Sequence, residues 1–180
     1  MSRFHKVPSR GVIFVTHDQE EANTTSDRIA VINSGVVEQI GTPMYLYDQP
    51  GNLFVANFLG VTNVIEGKIE EENGKAVFLS SDGAVTVPIT GKDKGSSNIV
   101  FRPQNLTIQA RNAKAVLGSM RLEGTVEHIE FLGGVVRYRV TVGKYFLLVD
   151  APHQLGEKVM PLETEVSLYL NTDQIIKLSN

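Results

Sequence analysis

A mainly β protein with a short α/β segment in front is what this sequence predicts, on three observations. Before residue 60, apolar residues recur at helical spacing or in brief β-branched runs. From Val61 the helical periodicity disappears. Short alternating runs separated by Gly, Asn, Asp and Pro take over, a pattern of small barrels or sandwiches. These runs fall into two sets that resemble each other. Ile65-Glu66-Gly67-Lys68-Ile69-Glu70 lines up with Leu122-Glu123-Gly124-Thr125-Val126-Glu127, and residues 100–106 line up with 168–175. Two copies are too few for a solenoid, but they suit a pair of small β units that pack on each other.

The elements follow in order. Residues 1–10 are polar and lack periodicity. Val12 to Val15 is a continuous apolar run, the pattern of a parallel-sheet strand covered on both faces. Thr16 with Gln19, or Asp18 with Glu21, has capping-box spacing, so a helix is expected from about residue 18 to residues 25–27. Asp18, Glu20 and Glu21 suit the positive end of its dipole. Arg28–Ile32 and Val36–Ile40 form a hairpin around Asn33-Ser34-Gly35. Gly41 is a stop, and Thr42-Pro43 is a cap and first position for a new helical start. A further helix covers Asn52–Leu59, with Phe54, Val55, Phe58 and Leu59 on one face and Gly60 closing it.

Beyond Val61 the expected strands of the first set are Ile65–Glu70, Ala76–Leu79, Val85–Ile89, Ile99–Phe101 and Leu106–Gln109. Turns fall at Glu72-Asn73-Gly74 and Ser81-Asp82-Gly83. Arg111–Met120 is a connector or a short helix. The second set is Arg121–Phe131, Val135–Val142, Tyr145–Val149, Glu165–Leu170 and Ile175–Leu178. Gly133-Gly134 marks a turn or bulge before the Val135 strand.

Composition narrows the functional classes. The 180 residues allow one domain or two small ones, and 42% hydrophobic with 21% charged residues is ordinary for a globular chain. A net charge of −3 gives no field that favours nucleic acid or an acidic membrane surface. The absence of cysteine excludes disulfides and thiol chemistry. No apolar run approaches the roughly 18 residues that span a bilayer. The basic start MSRFHKVPSR is followed by too short an apolar run for a signal peptide, so a soluble cytoplasmic chain is expected.

His17 is the sharpest candidate for chemistry. It lies at a predicted strand end beside a helix N-terminus, where an imidazole can donate a hydrogen bond to a phosphate oxygen. From the residues alone, a solvent-facing histidine whose neighbours only cap a helix is the favoured reading. His5, His128 and His153 have no ligand-like spacing, so no metal site is expected. Glu70-Glu71-Glu72 suggests a solvated turn. Phe131, Tyr138, Tyr145 and Phe146 suit core packing better than a base-stacking face, given 7% aromatics and a negative net charge.

VTHDQEEA at 15–22, DRIAVINSGVVEQIGTPMYLYDQP at 27–50 and NLFVANFLG at 52–60 together resemble the end of the nucleotide-binding domain of ABC importer ATPases. The similar branch serves maltose, polyamines, ferric iron and sulfate. VFRPQNLTI at 100–108 and EGTVEHIEFLGGVVRYRV at 123–140 resemble the regulatory extension of those ATPases, the OB-like TOBE module. The resemblance implies a remnant of a P-loop ATPase domain at residues 1–60. It implies a tandem OB-fold-like β-barrel regulatory domain at 61–180. His17 would be the switch histidine that contacts the γ-phosphate of ATP in the full-length family.

The implied function is regulation and dimerisation of an importer's ATP-binding subunit, which couples ATP hydrolysis to solute uptake. The implied partners are a second copy and the membrane permease subunits. The chain would sit on the cytoplasmic side without inserting into the membrane or binding nucleic acid. ATP and Mg2+ belong to the full-length family, and neither is expected bound to this chain. A phosphate-binding loop is absent: Lys68, Lys75, Lys92 and Lys144 follow glycines, but no Ser or Thr comes next. The family's Ser-Gly-Gly-Gln signature is also missing. Phe146 to Pro152 mimics the family's magnesium strand, but Ala151 stands at the catalytic glutamate's place. No ATP hydrolysis is therefore expected from this chain alone, as for a truncated gene, a proteolytic fragment or a designed piece. Val12 to Val15, without its sheet neighbours, is expected to pair with another copy or to be poorly ordered. The alternative is a free-standing TOBE-type module that binds molybdate or tungstate.

Overall fold

The computed structural model describes residues 11–72, 74–89, 95–112 and 119–179. The expectations for residues 1–10, Asn73 and the 113–118 part of the connector lie outside them.

Local chemistry sets the first elements. Helix α1 (Gln19–Thr25) starts where Asp18 accepts a hydrogen bond from the Glu21 amide, and Glu20 and Glu21 occupy its first turn. Strands β1 (Ile29–Asn33) and β2 (Val36–Gly41) form the expected hairpin. Ser34 and Gly35 both take left-handed φ values, 49° and 81°, as a type I′ turn requires. Thr42 caps α2 (Pro43–Asp48) with Pro43 in its first turn, and Asn52 caps α3 (Leu53–Phe58). Ala22, Ile29, Val31, Leu46, Val55 and Leu59 make a small core. The expected apolar face of α3 is only partly right. Phe54 is exposed, and Ala56 on another side of the helix is buried.

Ten strands follow: β3 (Asn63–Glu72), β4 (Lys75–Ser80), β5 (Thr86–Pro88), β6 (Gly95–Phe101), β7 (Leu106–Ala110), β8 (Ser119–Phe131), β9 (Val135–Val142), β10 (Tyr145–Pro152), β11 (Glu165–Asn171) and β12 (Ile176–Ser179). They form two five-stranded sheets, in the orders β12-β6-β3-β4-β5 and β10-β9-β8-β11-β7. Each sheet takes four strands from one sequence repeat and its last strand from the other. Strand β7 closes the first repeat but pairs with β11, and β12 closes the second but pairs with β6. A one-turn 3-10 helix precedes each exchanged strand, at Pro103–Asn105 and Thr172–Gln174.

The two sheets share one core. Ile65, Phe78, Val87, Ile99 and Phe101 from the first join Leu122, Val140, Leu147, Leu168 and Leu170 from the second. Each such side chain contributes roughly 1.5–3 kcal/mol by leaving water. Asn63 joins the sheets by polar contact. Its amide donates to the Leu148 carbonyl at 2.8 Å and accepts from the Leu148 amide at 2.7 Å, as a neighbouring strand would. The Glu70-Glu71-Glu72 segment is the exposed end of β3 and not a turn, because all three residues pair with β4.

Candidate functional site

The loop before α1 carries His17. Thr16 Oγ1 accepts from the Asp18 amide at 3.0 Å and donates to the Glu21 carboxylate at 2.9 Å. Asp18 Oδ1 accepts from the Glu21 amide at 3.0 Å. Both neighbours of His17 are thus engaged in the cap, and the imidazole between them is exposed. It has no hydrogen-bond partner among the described residues. Buried Ala22 anchors the helix behind it in the small core. The three carboxylates of Asp18, Glu20 and Glu21 offset the pull of the helix end on an anion.

Val12 to Val15 departs from the buried-strand pattern. Val12, Ile13 and Val15 are 90%, 94% and 86% exposed, and no strand is assigned to them. A strand covered on both faces needs partners on both edges, and the described residues supply none.

Asp150, the aspartate of the magnesium-like run, accepts from Arg137 Nε at 2.7 Å and Nη2 at 2.8 Å, so both of its oxygens are taken. This contact raises the Arg137 pKa. No cluster of three or more metal-ligating side chains exists among the described residues. The four aromatics divide. Tyr138 is buried, Tyr145 bonds the Glu66 carbonyl at 2.8 Å, and Phe131 and Phe146 are 66% and 61% exposed. The two exposed rings lie on opposite faces of the second sheet, because Phe131 pairs with buried Val136 whereas Phe146 flanks buried Leu147. They form no common stacking surface.

A groove of about 400 Å³ lies at the bulge between Val126 and His128. Arg139 faces it together with Glu127 and Glu163. Two carboxylates beside one guanidinium do not favour an oxyanion there.

The junction between the helices and the sheets holds a residue to which the motifs assign no role. Arg102 follows the last residue of β6, caps the 3-10 turn Pro103–Asn105 and is 5% exposed. Its Nη1 donates to the carbonyls of Ala56 at 2.8 Å and Gly60 at 3.1 Å and to the Thr62 hydroxyl. Its Nη2 donates to the Tyr47 carbonyl at 3.1 Å, and the guanidinium lies 4.0 Å over the Tyr47 ring. Burial pushes its pKa down, while Tyr47 and Asp48 push it up. The signal for it was an arginine closing an apolar strand before proline. Such a side chain must find acceptors or stay out of the core.

The TOBE domain family matches residues 99–177, from within β6 to β12. The Fe(3+) ions import ATP-binding protein FbpC of Brucella abortus (strain 2308) is 34% identical over 163 residues, 89% of this chain and 43% of the relative. The spermidine/putrescine import ATP-binding protein PotA 1 of Pseudomonas aeruginosa is 39% identical over 140 residues, 76% of this chain and 36% of the relative. Residues 99–177 thus match the TOBE domain family, and most of the chain is similar to part of import ATP-binding proteins. The chain spans less than half the length of those relatives. The TOBE fold also superposes on the cytoplasmic molybdate-binding protein ModG, with a TM-score of 0.52 and 16% identity over 66% of this chain and 96% of that one. That likeness concerns the fold, a mainly β arrangement of OB-like units. No helix among the described residues is long and apolar enough to cross a membrane.

Proposed function

We propose that this chain is the regulatory and dimerising part of an ABC importer ATP-binding subunit. Residues 1–60 are the end of its nucleotide-binding domain, and residues 61–180 are its regulatory domain. The observation that carries this is similarity to two kinds of import ATP-binding protein, at 34% and 39% identity over 89% and 76% of the chain. In the longer protein His17 contacts the γ-phosphate of ATP, with Mg2+ held by residues outside this chain. Its exposed imidazole, with no hydrogen-bond partner among the described residues, is consistent with that role. The subunit works as a homodimer beneath membrane permease subunits, on the cytoplasmic side, and ATP hydrolysis there drives solute uptake.

A chimera tests the reading. The segment of Pseudomonas PotA 1 that matches this chain is replaced by the residues of this chain that align with it, His17 included. The expected chimera hydrolyses ATP, and H17A lowers its kcat by about a hundredfold, the low end for a lost catalytic proton or hydrogen-bond partner. An active chimera indifferent to H17A would remove the role of His17. Light scattering tests the dimer: a mass of twice 19.8 kDa is expected at micromolar concentration, and a clean monomer would refute it.

A second reading, a free-standing oxyanion-binding module, is favoured by the superposition on ModG. Calorimetry with molybdate, tungstate and sulfate separates the two. Tight binding of molybdate or tungstate supports the module, and no heat of binding supports the regulatory reading.

A further inference from the structure

We propose that Arg102 and the C-terminal strand β12 form one latch on α3, through which a change in the β region reaches residues 19–62. The helix is held on two sides. Val55 and Leu59 face the small core of residues 22–59. Ala56, with Leu53 beside it, packs instead on Val100 of β6 and on Leu178 and Ile176 of β12. Ala56 is therefore gripped twice, by β12 through its side chain and by Arg102 through its carbonyl.

The two grips are themselves connected. Gln104, in the turn after Arg102, donates to the Tyr47 hydroxyl at 2.7 Å. The Asn105 side chain in the same turn donates to the side-chain Oε1 of Gln174 at 2.9 Å, and residues 172–174 lead through Ile175 into β12. The contacts close a ring from Arg102 through Asn105, Gln174, Leu178 and Ala56 back to Arg102, with Tyr47 held against it by Arg102 and Gln104.

Neither partner of the ring is stable alone. Helix α3 has six residues, well short of the roughly 12–15 at which an isolated helix becomes even marginal. Strand β12 has four residues and sits at a sheet edge, paired among the described residues with β6 alone. Elements of this kind open locally unless they are held from outside. Because β12 belongs in sequence to the second repeat and in space to the first sheet, release of β11 or the 172–174 turn bears directly on α3. The latch rests on the ring of contacts; its use in an importer subunit rests on the proposed function.

Hydrogen exchange read by mass spectrometry on the whole chain tests it, with variants R102M and L178A. Coupling predicts that each variant speeds exchange on both sides of the ring, in residues 53–59 and in 176–179, by about tenfold or more, while 135–142 in β9 is unchanged. An effect of each variant confined to its own side overturns the latch. If R102M does not fold, L178A decides alone. Faster exchange in 53–62 supports the latch, and a change limited to β6 and β12 overturns it. A dimer with uncoupled exchange would remove the latch and leave the proposed function standing. A monomer with coupled exchange would do the reverse.

Discussion

At Asp82 one carboxylate collects hydrogen bonds from the Lys144 amide at 2.9 Å, the Ser80 hydroxyl at 2.7 Å and the Ala84 amide at 3.1 Å. The Lys144 amide, the largest cause, and the Ser80 hydroxyl lower its pKa from 3.8 to about 2. Asp82 lies in the β4–β5 turn and Lys144 in the β9–β10 turn, so this carboxylate ties equivalent hairpins of the two repeats. A depressed pKa means that the ionised form is favoured by folding. The contribution is complete above the unfolded pKa of 3.8 and is lost as pH falls through about 2. Thermal melts between pH 6 and pH 2 are therefore expected to show a loss of stability near the acid end that D82N reduces. Equal acid sensitivity in the two proteins would exclude the assignment. Gly67 and Gly124 show a different constraint at matched repeat positions. A Cβ at Gly124 would lie 2.4 Å from the Thr141 carbonyl oxygen, and one at Gly67 would meet the Leu79 carbonyl oxygen at 2.2 Å. The obstacle is backbone, which cannot swing aside. G124A is expected to cost about 1–3 kcal/mol in urea unfolding, the usual range for overpacking.

Among the elements, those set by local chemistry were legible in advance. Asp18 and Thr42 cap two helices as read, and Asn33-Ser34-Gly35 turns a hairpin, because caps and tight turns depend on residues within a few positions of each other, whereas Asn52, read as the first residue of a helix, proves to be its cap. The alternating runs after Val61 became strands because side chains of one strand face must share one environment. Val12 to Val15 has the pattern of a covered strand but was expected to lack its sheet neighbours. An apolar run states what would be covered, and coverage depends on other segments. Since these residues bury little here, I13K/V15K is expected to move stability by no more than about 0.5 kcal/mol, as for other surface substitutions. A larger loss in a thermal melt would show that the run is packed. Arg102 was not legible either. Its acceptors on Tyr47, Ala56 and Gly60 lie 42 to 55 residues away, beyond any local pattern. His17 was legible as an exposed residue between two caps, and the resemblance alone supplied its expected ligand.

For the molecule as a whole, the reciprocal exchange of β7 and β12 has an energetic consequence. Neither repeat can complete its sheet without a strand from the other, and both contribute to one apolar core. Residues 63–179 should therefore unfold in one cooperative step, with coincident circular dichroism and calorimetric transitions and a calorimetric to van't Hoff enthalpy ratio of about one. Two resolved transitions would mean that the repeats are independent. By itself the sequence determined the mainly β class, the caps, the turns and the existence of two similar strand sets, because each is written in short-range periodicity and turn chemistry. Only the tertiary structure decided that the sets trade their last strands and that Arg102 closes the junction. The physical reason is common to both. Strand alternation specifies which face a side chain occupies, but strand pairing and burial are chosen by the free energy of contacts between segments far apart in the chain.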